Sequence, residues 1–347
     1  MKPPAPVTVR NRRVLIVGTG SIGQRHLRCF LATGVEAGIV EPNASLRSEV
    51  AQEYGVAHAF ESLEESFADR SGWRADAVVI CTPANMHVAM ARAAVAAGCH
   101  VLIEKPLSTS CDEVSDLLRE AADADRVVGL AYVYRAHPAI AAAREAVQSG
   151  RFGDPVEVVA VSGQNFPHYR PAYRDIYYKS RATGGGAVQD ALTHVINAVE
   201  WIVGPARRVV ADATHQLLDG VGVEDTAHVL ARHGDIDREV LVSFALNQYQ
   251  APNENTITVV CREGVVRIEM HAMRWQWCVE PGSPWHDEPV ASMARDELFV
   301  RQAEAFLESV ERISLPLCSL AEGVQTLKST LAILRSAEAG RWEEVEA

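Results

Sequence analysis

Val14-Leu-Ile-Val17, followed at once by Gly18-Thr-Gly20-Ser21-Ile22-Gly23, decides the fold. Four consecutive apolar, mostly branched residues suit a strand buried on both faces, as in a parallel sheet. The glycines come next at the spacing of a dinucleotide fingerprint. From Ile22 the pattern turns helical, with Leu27, Phe30 and Leu31 on one face and Gly34 at its end. The three glycines play separate parts. Gly18 allows the tight turn, Gly20 lets the backbone approach a pyrophosphate, and Gly23 permits close helix packing. Ser21 and Ile22 open a helix whose unpaired N–H groups face the phosphates.

Outward from there the cycle repeats. Apolar runs at 37–40, 77–80, 101–103 and 127–133 read as strands, and 85–97 and 111–124 as helices. Strands alternating with helices predict a doubly wound parallel sheet, an α/β Rossmann domain, closed by right-handed crossovers. Beyond Pro138 the rhythm changes. After helices at 139–148 and 187–202, short strands follow at 156–162, 207–213, 226–231, 239–248, 256–261 and 265–269. These predict an α+β second domain with a large, mostly antiparallel open sheet. Helices at 294–310 and 320–339 end the chain. The predicted division is 1–134 for the dinucleotide and 135–347 for substrate and oligomerisation, with the terminal helices available to pack back on the first domain.

Composition narrows the functional classes. The 347 residues are 48% hydrophobic and 22% charged, as in an ordinary globular protein. A net charge of −12 repels phosphate backbones and anionic bilayers, which argues against nucleic acid and membrane partners. The seven cysteines are scattered and never spaced Cys-x-x-Cys, so neither a disulfide framework nor a metal site is signalled. Met1 to Arg12 carries prolines and basic residues without an apolar run, and 14–17 is far too short to span a bilayer. The expectation is a cytoplasmic protein.

Residues able to do chemistry fall at the carboxyl ends of predicted strands, where open α/β sheets bind ligands. Glu41 ends the second strand, 23 residues after Gly18. That suits the carboxylate expected roughly 20 residues on, which hydrogen-bonds the adenosine ribose and favours NAD. Arg47 nearby keeps NADP open as a second cofactor. Thr82 and Pro83 follow the 77–80 strand and are expected to line the cofactor. Asn85 and His87 open the next helix, as nicotinamide contacts or as caps. Glu104-Lys105-Pro106 leaves the 101–103 strand with an amine placed for proton chemistry. Gly184-Gly-Gly186 precedes a helix in which Asp190 and His194 lie about one turn apart. His194 is the candidate base, and Asp190 binds a substrate hydroxyl or orients the imidazole.

A substrate clue comes from Phe166 to Arg181, FPHYRPAYRDIYYKSR, dense in cations and tyrosines within an acidic chain. Arginines grip anions bidentately and tyrosines stack on sugar faces. Tyr169, Arg170, Arg174 and Tyr177 are therefore candidate substrate contacts for an anionic or glycosidic sugar, a solvated loop or subunit contact being the alternative.

These motifs together resemble the glucose-fructose oxidoreductase, inositol dehydrogenase and rhizopine catabolism (Gfo/Idh/MocA) family over nearly the whole chain. The likeness rests on Gly18 to Gly23, Thr82-Pro83, Glu104-Lys105-Pro106, Arg135 and Pro138, Gly184 to Gly186, and Asp190 with His194. It implies NAD or NADP as the hydride acceptor, with Glu104 and Lys105 beside it. It also implies sugars, cyclitols or related polyols as substrates, and Lys105 and His194 as the catalytic pair assisted by Asp190. Arg135 is implied as a further substrate contact, and homodimers or homotetramers through the open sheet as the assembly. Asn197 departs from the family, where many members carry Asp three residues after the histidine. Three functions compete: a sugar or polyol dehydrogenase, a glycoside hydrolase that oxidises transiently and returns the hydride, and a non-catalytic sugar or dinucleotide sensor.

Overall fold

A computed structural model describes residues 12–69 and 71–346. The reading of Met1 to Arg12 therefore lies almost wholly outside the described residues. The first half builds β1 (Arg13–Val17), α1 (Ser21–Ala32), β2 (Glu36–Val40), α2 (Ala44–Tyr54), β3 (His58–Phe60), α3 (Leu63–Ala68), β4 (Ala77–Ile80), α4 (His87–Ala96), β5 (His100–Ile103), α5 (Val114–Asp123) and β6 (Val128–Leu130). The strands pair in parallel in the order β3-β2-β1-β4-β5-β6. The order reverses between β1 and β4, and the crevice at that switch point is where such sheets bind dinucleotides.

The second half begins with α6 (Pro138–Gln148), β7 (Pro155–Asn165) and α7 (Phe166–Tyr169). It continues through α8 (Thr193–Val203), β8 (Ala206–Thr214), β9 (Thr226–His233), β10 (Val240–Asn247), β11 (Tyr249–Cys261), β12 (Gly264–Glu269), β13 (Arg274–Cys278) and β14 (His286–Pro289). The chain closes with α9 (Glu297–Val310), α10 (Leu320–Ala339) and β15 (Glu343–Glu344). Among the described residues these strands form one sheet, β14-β13-β12-β11-β7-β10-β9-β8-β15, antiparallel except where β10 runs parallel to β7. Alternate residues of β9 and β10 point inward, so Val229, Ala231, Val242 and Phe244 bury against α6, α8 and α10. The outward face leaves Val159 and Leu230 exposed.

The terminal helices bind the two halves together. Phe306 of α9 meets Phe30 of α1 edge-on at 6.3 Å, within a cluster that includes Val14, Ile16 and Leu307. Burial of one such ring is worth roughly 1.5–3 kcal/mol. Helix α10 starts against the first sheet through Leu320, Val324 and Leu327 and ends against the second through Ala332, Ile333 and Leu334. Its capping box, Ser319 with Glu322, sits beside β6, where the Leu130 N–H donates to the Cys318 carbonyl at 2.9 Å.

Several expected boundaries moved for local reasons. Helix α5 begins at Val114 rather than Cys111 because Glu113, at φ 58°, breaks the helical path. The strand expected over 127–133 stops at Leu130, and the chain turns into a 3-10 segment, Val133–Ala136.

Candidate active site

The glycine loop is set by close contacts. A Cβ on Gly23 would stand 1.8 Å from the Gly18 carbonyl oxygen, and Gly18 itself sits at φ +85°. Gly20 differs: it has extended backbone, and nothing lies within 4 Å of where its Cβ would stand. Helix α1 starts just after it with no side-chain cap and no acid in its first turn. An open cradle rimmed by unpaired N–H groups fits a dinucleotide pyrophosphate, with Ser21 and Ile22 supplying the first helical donors.

Glu41 ends β2 beside this loop. Its Oε2 accepts from the Thr19 N–H and hydroxyl, both at 3.0 Å, and its Oε1 from the Asn43 N–H at 3.0 Å. These donors aim the carboxylate while leaving lone pairs for a ribose diol. Arg47 turns back on the chain, its Nη1 bonding the Glu41 carbonyl at 2.5 Å.

Thr82, Pro83 and Asn85 leave β4 at the same edge, Pro83 and Asn85 exposed. His87 instead is buried, its two ring nitrogens 2.8 and 2.9 Å from the carbonyls of Thr82 and Pro106. It braces the two strand-end turns against each other and has no nitrogen left for nicotinamide. Glu104 is likewise committed: Oε1 lies 2.7 Å from His26 Nε2 of α1, and Oε2 accepts from the Lys105 N–H at 3.0 Å. The peptide between Lys105 and Pro106 is cis.

Two side chains from separate segments converge on one oxygen of Asp190. Lys105 Nζ donates to Asp190 Oδ1 at 2.9 Å and to the Asp190 carbonyl at 2.7 Å, and the Tyr177 hydroxyl donates to the same Oδ1 at 2.7 Å. Asp190 lies on a π-helical turn, Val188–Leu192, before α8 begins at Thr193. Such widened turns recur at functional sites because they re-aim a side chain. Glu224 holds the start of this turn, accepting from the Val188 N–H at 3.2 Å in the space that a Cβ on Gly186 would fill. Burial works against charge on Asp190, yet Lys105, Arg170 and the hydrogen bond from Tyr177 hold its carboxyl down at about 2. It is a carboxylate at any physiological pH.

His194 follows one turn later. Its ring stacks on Tyr134 at 4.8 Å and meets Tyr132 edge-on at 5.9 Å, and its Nδ1 has no hydrogen-bond partner. Tyr132 is fixed by Thr193 Oγ1 at 2.9 Å and Tyr134 by Asn255 Nδ2 at 2.9 Å. Burial, then the Lys105 ammonium, pushes the His194 imidazole down to about 3. The free imidazole titrates near 6.5, so protonation favours the unfolded chain. The contribution of neutral His194 to stability is complete above about 6.5 and decays as pH falls toward 3. NMR of the ring resonances is expected to show no titration of His194 from about pH 8 to 5; a midpoint near 6.5 would contradict the burial.

Other expected contacts do not join this group. Arg135 is buried and donates to Asn197 Oδ1 at 2.8 Å and the Leu317 carbonyl at 3.0 Å, with Glu322 as its ion-pair partner. It braces α8 against α10. Asn197 completes the brace by donating to Thr326 Oγ1 at 2.9 Å, so the position that departs from the family sits behind the site. Arg174 anchors its own segment, donating to the Asp219 carbonyl at 2.8 Å. Tyr169 and Arg170 are exposed, and Arg170, unlike Arg135 and Arg174, stands near enough for its charge to act on Asp190, His194 and Tyr177. Sequence reasoning passed over Tyr132 and Tyr134, although the alternation Tyr-Val-Tyr at the end of a strand was visible.

A glycine cradle at the sheet's switch point, next to a Lys-Asp-His constellation, defines a dinucleotide-dependent oxidoreductase. Residues 12–132 match the family model described as "Oxidoreductase family, NAD-binding Rossmann fold", and residues 140–267 match the "GFO/IDH/MocA C-terminal domain". The chain belongs to the Gfo/Idh/MocA family, and its first half is an NAD-binding Rossmann domain of a family that uses NAD or NADP. It is 30% identical to "D-xylose 1-dehydrogenase (NADP(+)) 2" of Haloferax volcanii, over 95% of this chain and 99% of that one. It is 23% identical to "UDP-N-acetylglucosamine 3-dehydrogenase" of Acidithiobacillus ferrooxidans, over 94% and 97%. A solved levoglucosan dehydrogenase, in complex with NADH and levoglucosan, shares the fold with a TM-score of 0.86 at 21% identity, covering 97% of this chain and 100% of that one. Among the described residues no helix is long and apolar enough to cross a membrane, and no cluster of His, Cys, Asp and Glu could hold a metal ion.

Proposed function

We propose that the protein is a dehydrogenase that exchanges a sugar, cyclitol or sugar-derivative hydroxyl for the ketone. The carrying observation is the Lys105–Asp190 pair beside a His194 imidazole held neutral. Glu41, the glycine loop and Thr82 would hold the dinucleotide, whose nicotinamide supplies the hydride acceptor. Lys105 keeps one N–H beyond its two bonds to Asp190, enough to bind the reacting oxygen and stabilise the charge that develops as the proton leaves. Asp190, fixed as an anion, accepts from the same or a neighbouring hydroxyl. His194, held neutral, has a lone pair for the proton. Support for a polyol substrate comes from the relatives named for xylose and UDP-N-acetylglucosamine.

The test follows NADH absorbance and aglycone release together during incubation with NAD and a panel of sugars, uronates, cyclitols and aryl glycosides. NADH accumulation is expected. Aglycone release without net NADH would replace this reading with a redox-neutral glycoside hydrolase, and cofactor binding without either product with a sensor.

Cofactor choice gives a second check. A carboxylate a few ångströms from a 2'-phosphate opposes it by a few kcal/mol. Glu41→Gln keeps an acceptor for Thr19 while removing the charge. The ratio of kcat/KM for NAD over NADP is expected to fall about tenfold or more. An unchanged ratio would place discrimination elsewhere.

A further inference from the structure

Segment 166–183 forms a strap beside the site, and its adjacent Tyr177 and Tyr178 make separate contacts, Tyr177 with Asp190 and Tyr178 with an apolar cluster. Tyr178 is fully buried against Phe166, Tyr173, Leu218 and Val223. Its carbonyl accepts from the Gly186 N–H at 3.2 Å and lies where a Cβ on Gly185 would stand. Tyr173 ties the same segment down by donating to the Asp219 carbonyl at 2.7 Å. Tyr177 instead donates to Asp190. Its carbonyl is held by Thr183 Oγ1 at 2.7 Å, so its position is set before any ligand arrives.

We propose that Tyr177 is a positioning residue of the active site, on the reading of Lys105, Asp190 and His194 given above. With Lys105 it commits Asp190 Oδ1, so that Oδ2 is the oxygen presented to the substrate hydroxyl. Oδ1 already takes two charge-assisted bonds, whereas Oδ2 accepts none among the described residues. A carboxylate gripped at one oxygen by donors from two separate segments cannot rotate about its Cβ–Cγ bond without losing both. The charges acting on Asp190 are Lys105 from the end of β5 and Arg170 from segment 166–183; Glu104 acts on Tyr177 and His194, and His194 itself is neutral. In that setting burial and the Asp190 charge keep the Tyr177 phenol protonated, its ionisation raised well above the ordinary range.

The first test needs no substrate. In protein labelled with 3-fluorotyrosine, the fluorine resonance lost in Tyr177→Phe identifies the ring. Its titration is expected to move to lower pH in Asp190→Asn. An unmoved titration would overturn the pairing, whatever the reaction turns out to be. The second test uses a sugar that is turned over. Tyr177→Phe is expected to lower kcat about tenfold or more, leave NAD affinity unchanged and shift the acid limb of the pH profile upward, because the carboxylate loses a donor. Tyr173→Phe, which frees the strap from Asp219 without touching Asp190, should retain kcat and the wild-type limb. Equal losses in both variants would make Tyr177 a strap residue only. A rise in KM with kcat and limb unchanged would make it a plain substrate contact. Failure of every sugar to react would count against the proposed function while leaving the fluorine result to judge the pairing.

Discussion

Lys105→Ala is expected to lower turnover by about 10³ or more, the scale on which a proton-handling group contributes, while NAD affinity remains nearly intact. The separation follows from geometry, because Lys105 Nζ bonds Asp190 and makes no bond to the glycine loop. Stability should change as well, with a distinctive pH dependence. In the parent, burial opposes the charge on Asp190, but Lys105, Arg170 and Tyr177 overcome it and hold the carboxyl at about 2. The favourable contribution of that carboxylate is therefore present above about 3.9 and lost as pH falls toward 2. Without Lys105, only Arg170 and Tyr177 oppose burial, and the folded-state value is expected to rise above the unfolded one. The sign then reverses: stability is greatest in acid and falls as pH rises through the raised value. Denaturation at about pH 5 and about pH 8 should show the larger loss at the higher pH, bounded by the roughly 3–5 kcal/mol for breaking a buried pair. Asp190→Asn added to Lys105→Ala should recover stability without recovering turnover. Full activity in Lys105→Ala would sink the assignment of this lysine to the chemistry.

What could be read in advance follows the strength of local signals. Strand β1 and the glycine loop declare themselves because a doubly buried strand must be apolar throughout and the turn after it tolerates no side chain at Gly23. Helix α2 was invisible to hydrophobic periodicity because only Val50 is buried along its length. Its signals were the Asn43 cap and Gly55 in left-handed conformation. Strand β14 escaped for a similar reason: it is the polar margin of the sheet, and His286–Pro289 buries no residue. Lys105, Asp190 and His194 were legible as motifs. The meeting of Tyr177 with Asp190 was not, because pairing a strap with a π turn depends on how that strap packs rather than on spacing. Arg135 misled because a lone arginine near a domain junction looks alike whether it binds a ligand or braces two helices.

The glycine loop supplies the other large effect, through two substitutions with opposite signatures. Gly20→Val introduces a side chain where the protein offers nothing within 4 Å, at extended backbone angles that valine adopts readily. The cofactor-free protein should therefore fold with an unchanged Tm. The same open space is where a pyrophosphate must approach the N–H groups of α1, so NAD binding should weaken by about 100-fold or more, some ~2.7 kcal/mol. Gly23→Ala forces a Cβ to within 1.8 Å of the Gly18 carbonyl oxygen, which is backbone and cannot step aside alone. The loop must shift or α1 must lift from β1. Both Tm and NAD affinity should then fall, overpacking of this kind costing about 1–3 kcal/mol. Calorimetric titration with NAD and thermal unfolding of the same samples separate the two variants. Loss of NAD binding in Gly20→Val with Tm intact would place the dinucleotide on this loop. Undiminished binding would require the pyrophosphate to lie elsewhere, because no bound phosphate could share that space with an isopropyl group.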